Sequence, residues 1–301
     1  MTSIEVKNLS KTFLLRDGLK RTKLHAVDRV SFDLVPRRTV ALVGESGSGK
    51  STIARMLARL EKPTSGEINV TLDEGTRVHG AIYRRHVQMV FQDPFASLNP
   101  FHSIEHHIAR PLLLHKRTKG AKATHDRVVQ MLERVNLNPA EDIAARRPHE
   151  LSGGQRQRVA IARALAPGAQ VLIADEPVSM LDVSIRLEVL NLLGRLQRED
   201  NLAVLYITHD LATARHFSDE ILVMYRGRIV ERGPSDDVIL RARHPYTQLL
   251  RQAAPDPERP GKLVSASAVD RAAIDNSICF NHYEQAWTSA DGAVIPAPSL
   301  I

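Results

Sequence analysis

Thr39-Val40-Ala41-Leu42-Val43 runs directly into Gly44-Glu45-Ser46-Gly47-Ser48-Gly49-Lys50-Ser51-Thr52. The first five residues form a nearly continuous apolar run, the pattern of a strand buried on both faces in a parallel sheet covered by helices. Residues 44–51 fit G-x-x-x-x-G-K-[ST], and residues 51–60 follow with helical spacing. Strand, glycine loop and helix give the pattern a mechanism. Glycines let successive backbone N–H groups curl into a nest around a phosphate. The helix N-terminus adds partial positive charge. In such a loop the Lys50 ammonium reaches the β- and γ-phosphates and the Ser51 hydroxyl ligates Mg²⁺. The competing reading is a flexible Gly/Ser turn, and it requires neither the strand before nor the helix after.

Two further apolar runs, Val171–Ala174 and Leu202–Ile207, have the same two-sided character. The first ends in Asp175-Glu176, which places acid at the carboxyl edge of a sheet, where open α/β folds bind ligands. Asp175 suits Mg²⁺ held through its water shell, and Glu176 suits polarisation of an attacking water. Solvated acids cap many strands, so the pair gains its meaning from the phosphate loop upstream. The expected fold class is α/β.

The remaining composition narrows the setting. The 301 residues are 43% hydrophobic and 25% charged, which excludes collagen-like, coiled-coil and wholly disordered chains. A net charge of +7 suits nucleic acid or an anionic membrane face equally. A single cysteine, Cys279, can form neither an internal disulfide nor a CxxC metal site. The first thirty residues lack an apolar signal core, and no apolar run reaches the ~20 residues needed to span a bilayer.

Outward from the loop, Ile4–Leu9 and Val27–Leu34 alternate apolar and polar residues and read as an antiparallel pair, separated by a basic, turn-rich stretch (Arg16, Asp17, Gly18, Lys20, Arg21, Lys23). Residues 93–150 read as a polar helical insertion. Glu220–Glu231 reads as strand, Arg-Gly-Arg turn, strand. After Tyr246 the chain becomes linker-like over Ala253–Gly261, and the last forty residues show no strong period. The histidines at 102, 106, 107 and 115 lack acids or cysteines at ligand spacing and read as a solvated helical face.

Leu151-Ser152-Gly153-Gly154-Gln155 precedes an amphipathic run to Leu165 and forms a second anion site at a helix start. One γ-phosphate has little use for two such sites unless two copies face each other. Here the sequence closely resembles the ATP-binding subunits of ABC transporters, over about residues 1–245. Gln92 matches their Q-loop, Ser179-Met180-Leu181-Asp182 their D-loop (with Met180 where Ala is usual) and His209 their switch histidine. Phe13 stands where they place an aromatic residue against adenine. Taken alone, Gln92 reads as a polar loop residue, His209 as a core histidine and Phe13 as core packing.

The resemblance implies a P-loop NTPase (RecA-like) core with an antiparallel β subdomain, an inserted helical subdomain (about residues 93–157) and a short C-terminal extension. It places the nucleotide-binding domain at residues 1–243 and the extension at 244–301. It also implies that two ATPase subunits close head to tail on ATP, held by Gly44–Thr52 of one and Ser152–Gln155 and Asp182 of the other. Glu176 would act as general base and His209 would orient water and γ-phosphate. Ser51, Gln92 and Asp175 would serve Mg²⁺. Phe91–Pro100, Asp175–Ser179 and His244-Pro245-Tyr246-Thr247 resemble the oligopeptide/dipeptide/nickel importers in particular, and the long basic segment before Ala26 suggests their second ATPase type. The implied partners are a second, different ATPase subunit, two transmembrane permeases and an external binding protein, at the cytoplasmic face of the inner membrane. With Cys279 as sole cysteine, the iron–sulfur cluster of some relatives is excluded. A soluble ATPase acting on nucleic acid or ribosomes is the main alternative. A nucleotide-holding regulatory module is disfavoured by Glu176 and His209.

Overall fold

The computed structural model describes residues 2–17, 20–72, 75–253, 274, 277–289 and 292–297. In chain order the strands are β1 (Thr2–Asp17), β2 (Lys20–Leu34), β3 (Thr39–Val43), β4 (Ser65–Leu72), β5 (Val87–Val90), β6 (Val171–Asp175), β7 (Ala203–Thr208), β8 (Glu220–Tyr225), β9 (Arg228–Pro234), β10 (Ile278–Asn281), β11 (Ala286–Ser289) and β12 (Val294–Ile295). The helices are α1 (Lys50–Leu57), α2 (Gly80–His86), α3 (Pro94–Ser97), α4 (Ile104–Leu114), α5 (Ala121–Arg134), α6 (Ala140–Ala145), α7 (Gly153–Leu165), α8 (Val183–Glu199), α9 (Leu211–Phe217), α10 (Ser235–Leu240) and α11 (Pro245–Ala253). A short 3-10 turn occupies Pro148–Glu150. The architecture is α/β.

Two compact units interleave along the chain. One comprises Met1–Ser3, Val35–Arg37 and Val70–Val204; the other comprises Ile4–Leu34, Arg38–Asn69 and Leu205–Ile301.

In the second unit β3 lies parallel to β8, with Val40 opposite Glu220 and Val43 opposite Val223. Every residue of β3 and of β8 is buried, as two-sided packing requires. Strand β9 returns antiparallel to β8, turning at Arg226-Gly227. β10 then adds parallel to β9 and leads into the antiparallel strands β11 and β12. This C-terminal ribbon was not readable from sequence periodicity. It is anchored by Phe280 and Trp287, both buried, whose rings meet edge to face at 5.1 Å.

Strands β1 and β2 form the antiparallel pair expected near the N-terminus, but the pairing does not stop at the basic stretch. It runs from Ile4 opposite Leu34 out to Asp17 opposite Lys20. Backbone hydrogen bonds carry a two-stranded ribbon past the point where side chains stop alternating. Gly18 and the segment from Ala254 to Gly261 lie outside the described residues.

In the first unit β5 and β6 are parallel, with Val87 opposite Val171 and Val90 opposite Ala174. Helices α3 to α7 follow the strand β5, the helical insertion anticipated from sequence. His125 on α5 joins Glu105 of α4 through Nδ1 and Glu141 of α6 through Nε2, each at 2.8 Å. Both carboxylates raise its pKa above the ordinary histidine value. The histidine face is not uniformly solvated. His102 and His106 are exposed and stack at 4.0 Å, whereas His107 is buried with Nε2 3.0 Å from the Asn99 carbonyl.

Candidate functional site

The phosphate loop begins where β3 ends. Gly44 and Gly49 are required by space as well as by backbone angle. A Cβ on Gly44 would stand 2.2 Å from the Met224 carbonyl oxygen, and one on Gly49 would stand 2.1 Å from that of Ala26. Gly49, with φ of 107°, is the N-cap of α1 and leaves its side of the helix start free of side chain. Gly47, with φ of 81°, has no atom within 4 Å of its Cβ position, so the crest of the loop is open.

Lys50 folds back into this curl. Its ammonium, on a side chain only 5% exposed, donates to the carbonyls of Gly44 at 2.8 Å and Glu45 at 2.7 Å. Burying an ammonium costs several kcal/mol unless oxygens replace its water, and the loop's own carbonyls do so. A buried cation behind an open glycine crest at a helix N-terminus fits an anionic phosphate chain. The donor set therefore matches a phosphate chain. Ser51 and Thr52, half-buried in the first turn of α1, stand beside it.

Elsewhere in this unit, β7 delivers His209 to an exposed position. The turn that carries it is fixed by Asp210, whose Oδ1 accepts from the amides of Ala212 and Thr213 at the start of α9. Phe13 lies outside the buried core. Its half-exposed ring sits beneath the Lys11 ammonium, 4.9 Å from the centroid.

In the first unit β6 ends on Asp175, buried to 6% exposure, and Glu176 turns out of the strand with φ of 46°. A left-handed conformation at a non-glycine residue costs about 1–3 kcal/mol and gathers at functional sites. The turn is held by Ser179, whose amide and hydroxyl both donate to the Glu176 carbonyl. Gln92, just past β5, donates from Nε2 to Glu176 Oε2 at 3.0 Å. Gln92 and Glu176 are 84 residues apart in sequence and meet because β5 and β6 are paired.

Ser152 to Gln155 form the start of α7 with a reciprocal cap. Ser152 Oγ accepts from the Gln155 amide at 3.2 Å, and Gln155 Oε1 accepts from the Ser152 amide at 2.9 Å. The box uses those two amides and leaves the amides of Gly153 and Gly154 at the helix mouth. Both glycines face the segment that begins α8. A Cβ on Gly154 would lie 2.6 Å from Ile185 Cγ2, and one on Gly153 3.4 Å from Leu181 Cδ2. Asp182 caps α8 from an exposed position without a side-chain hydrogen bond into the helix. The contact with Ile185 had no sequence signal, because nothing local links a helix-start glycine to a residue thirty positions on.

His149 and Glu150 serve local structure as expected: Glu150 Oε2 accepts from the Arg147 amide at 2.6 Å. Cys279 is half-buried, and burial pushes its thiol up to about 12. Among the described residues no group of three His, Cys, Asp or Glu is placed to hold a metal, and no helix is long and apolar enough to cross a membrane.

Comparison with known proteins identifies the family and the fold. The ABC transporter family model matches residues 27–179, and the model for the oligopeptide/dipeptide transporter C-terminal region matches residues 230–277. The oligopeptide transport ATP-binding protein OppF of Bacillus subtilis is 46% identical over 262 residues, covering 85% of this chain and 83% of OppF. The glutathione import ATP-binding protein GsiA of Pectobacterium atrosepticum is 48% identical over 267 residues, and the match covers 85% of this chain but 42% of GsiA. The chain thus spans less than half the length of that relative. Among solved structures, the dimeric post-hydrolysis ATP-binding cassette MJ0796 bound to ADP and Pi superposes with a TM-score of 0.64 at 30% identity, covering 77% of this chain and 98% of that one. The cassette cbiO1 from Clostridium perfringens gives 0.65 at 25% identity, covering 83% and 94%. The core is that of a P-loop NTPase, and the chain belongs to the ABC transporter family as an ATP-binding cassette.

Proposed function

We propose that this chain is the ATP-hydrolysing subunit that powers import of a small solute, namely peptides, through a membrane ABC transporter. The observation that carries the reading is the buried Lys50 ammonium, held on loop carbonyls behind an open glycine crest. Such a cation exchanges neutral carbonyls for phosphate oxygens when a nucleotide enters, and the gain is electrostatic. The importer assignment draws on relatives named for oligopeptide and glutathione import and on the C-terminal match. The alternative of an ATPase acting on nucleic acid or ribosomes gains nothing from these relatives.

In this reading Gly44 to Thr52 bind the phosphates, and Phe13 offers its half-exposed face to the base. Ser51, Asp175 and Gln92 would hold Mg²⁺, which when bound neutralises charge on the phosphate oxygens. Glu176 polarises the attacking water, and its present hydrogen bond to Gln92 holds the carboxylate in a defined rotamer. His209 orients water and γ-phosphate from its exposed turn. The Gly153 and Gly154 amides, with Asp182, complete a facing site on a second ATPase subunit, a different chain from this one. Phosphoryl transfer is largely positioning, so dividing these groups between two chains makes closure depend on nucleotide. Two permeases and an external binding protein complete the assembly. Residues 1–243 form the nucleotide-binding domain and 244–301 the extension, and the chain sits peripherally on the cytoplasmic face.

The test is nucleotide binding and hydrolysis by the full-length chain against Lys50→Ala. The reading predicts MgATP binding and turnover in the parent and loss of both by at least ~100-fold in the variant. Equal affinity and turnover in the two proteins would overturn it.

A further inference from the structure

Tyr246 lies in the C-terminal match, 201 residues from the phosphate loop, yet its hydroxyl accepts a hydrogen bond from the Glu45 amide at 2.9 Å. That amide belongs to the peptide unit joining Gly44 to Glu45. The carbonyl of the same unit, on Gly44, accepts from the Lys50 ammonium at 2.8 Å. A trans peptide is rigid and planar, with its N–H and C=O pointing in opposite directions. Fixing the N–H therefore fixes the carbonyl on which the lysine rests. We propose that Tyr246 is a positioning residue for nucleotide binding, acting through the Gly44–Glu45 peptide plane to hold Lys50 in its receiving position. The proposal rests on the nucleotide reading given above.

The tyrosine itself is closely held. It is 2% exposed, and its ring packs against that of Tyr225 at 4.2 Å. Its own amide donates to Nδ1 of the buried His244 at 3.2 Å. The His244 and Arg243 amides donate to the two carboxylate oxygens of Glu231, a residue of β9 with no exposure at all. Glu231 Oε1 lies 2.7 Å from His282 Nε2, just past β10. A contiguous polar chain thus runs from the C-terminal ribbon through the start of α11 to the phosphate loop, all within one unit. Removing Gly44's freedom would not substitute for the tyrosine, because a side chain there collides with the Met224 carbonyl. Without an external acceptor the peptide plane can rotate, and the lysine loses one of its carbonyl rests.

The experiment compares Tyr246→Phe with the parent full-length chain. Phenylalanine keeps the ring and its packing on Tyr225 while deleting the acceptor oxygen. One net hydrogen bond corresponds to roughly a 3–10-fold change in an equilibrium constant. The expected result is a 3–10-fold weaker MgATP affinity with maximal turnover within twofold of the parent, and faster hydrogen exchange of the Glu45 amide. A merely structural tyrosine would lower thermal stability while leaving affinity and Glu45 exchange unchanged, and that outcome overturns the proposal. If the parent chain itself fails to bind MgATP, the nucleotide reading falls and this inference falls with it. Parent binding with an unaffected phenylalanine variant sinks the inference alone.

Discussion

Gly49→Ala is expected to damage the fold through two separable costs. The residue has φ of 107°, where a side chain brings about 1–3 kcal/mol of strain. Its new Cβ would also stand 2.1 Å from the Ala26 carbonyl and 2.7 Å from Met224 Cε. The methionine tip can swing aside, but the Ala26 carbonyl is backbone in β2 and moves only with the strand. Overpacking of this kind costs a further ~1–3 kcal/mol, so the total is about 2–6 kcal/mol of the 5–15 kcal/mol that stabilise an ordinary domain. Gly47→Ala is the control, since its φ is 81° but no atom lies within 4 Å of the new carbon. It should lose only the conformational part, ~1–2 kcal/mol. Urea unfolding followed by the fluorescence of Trp287, the sole tryptophan and a member of the same unit, reads both. If Gly49→Ala proves no more destabilising than Gly47→Ala, close backbone approach is not what fixes glycine at 49.

Other perturbations address the remaining parts of the site. The His125 pKa is raised in the fold, so its ion pairs contribute fully below the ordinary value of ~6.5 and fade as pH climbs through the raised value; proton NMR titration should show that raised value falling in Glu105→Gln or Glu141→Gln. Ser152→Ala removes the cap oxygen from the Gln155 amide and should cost ~1 kcal/mol, read from the thermal midpoint. Cys279, with its thiol at about 12, should react with iodoacetamide at pH 8 far more slowly in the folded chain than in urea. Equal labelling rates in the two states would contradict its burial.

The legible part of this molecule was its local part. The runs Thr39–Val43 and Val171–Ala174 announced β3 and β6 because two-sided burial demands unbroken apolar residues. The run Leu202–Ile207 announced β7, displaced by one residue, since Leu202 is buried without joining the strand. The glycine loop and the start of α7 were legible because caps and nests are chemistry of consecutive residues. The ribbon continuing to Asp17 was not, because backbone pairing needs no side-chain alternation. Nor were the strands β10 and β11, each only four residues long and too short to show a period. Contacts across long separations left no trace either. Gln92 on Glu176, Ile185 against Gly154 and Tyr246 on Glu45 exist only once sheets and helices bring them together.

The central claim is that ATP joins half-sites from separate chains and that Glu176 drives the hydrolysis that releases them. Glu176→Gln, assayed with the proposed second ATPase subunit for MgATP binding, turnover and subunit association, tests this most directly. The account predicts parental affinity, turnover reduced by about 10²–10⁴-fold as for loss of a general base, and an ATP-dependent subunit pair that persists instead of dispersing. Turnover near the parental rate, or no ATP-dependent association at all, would contradict it.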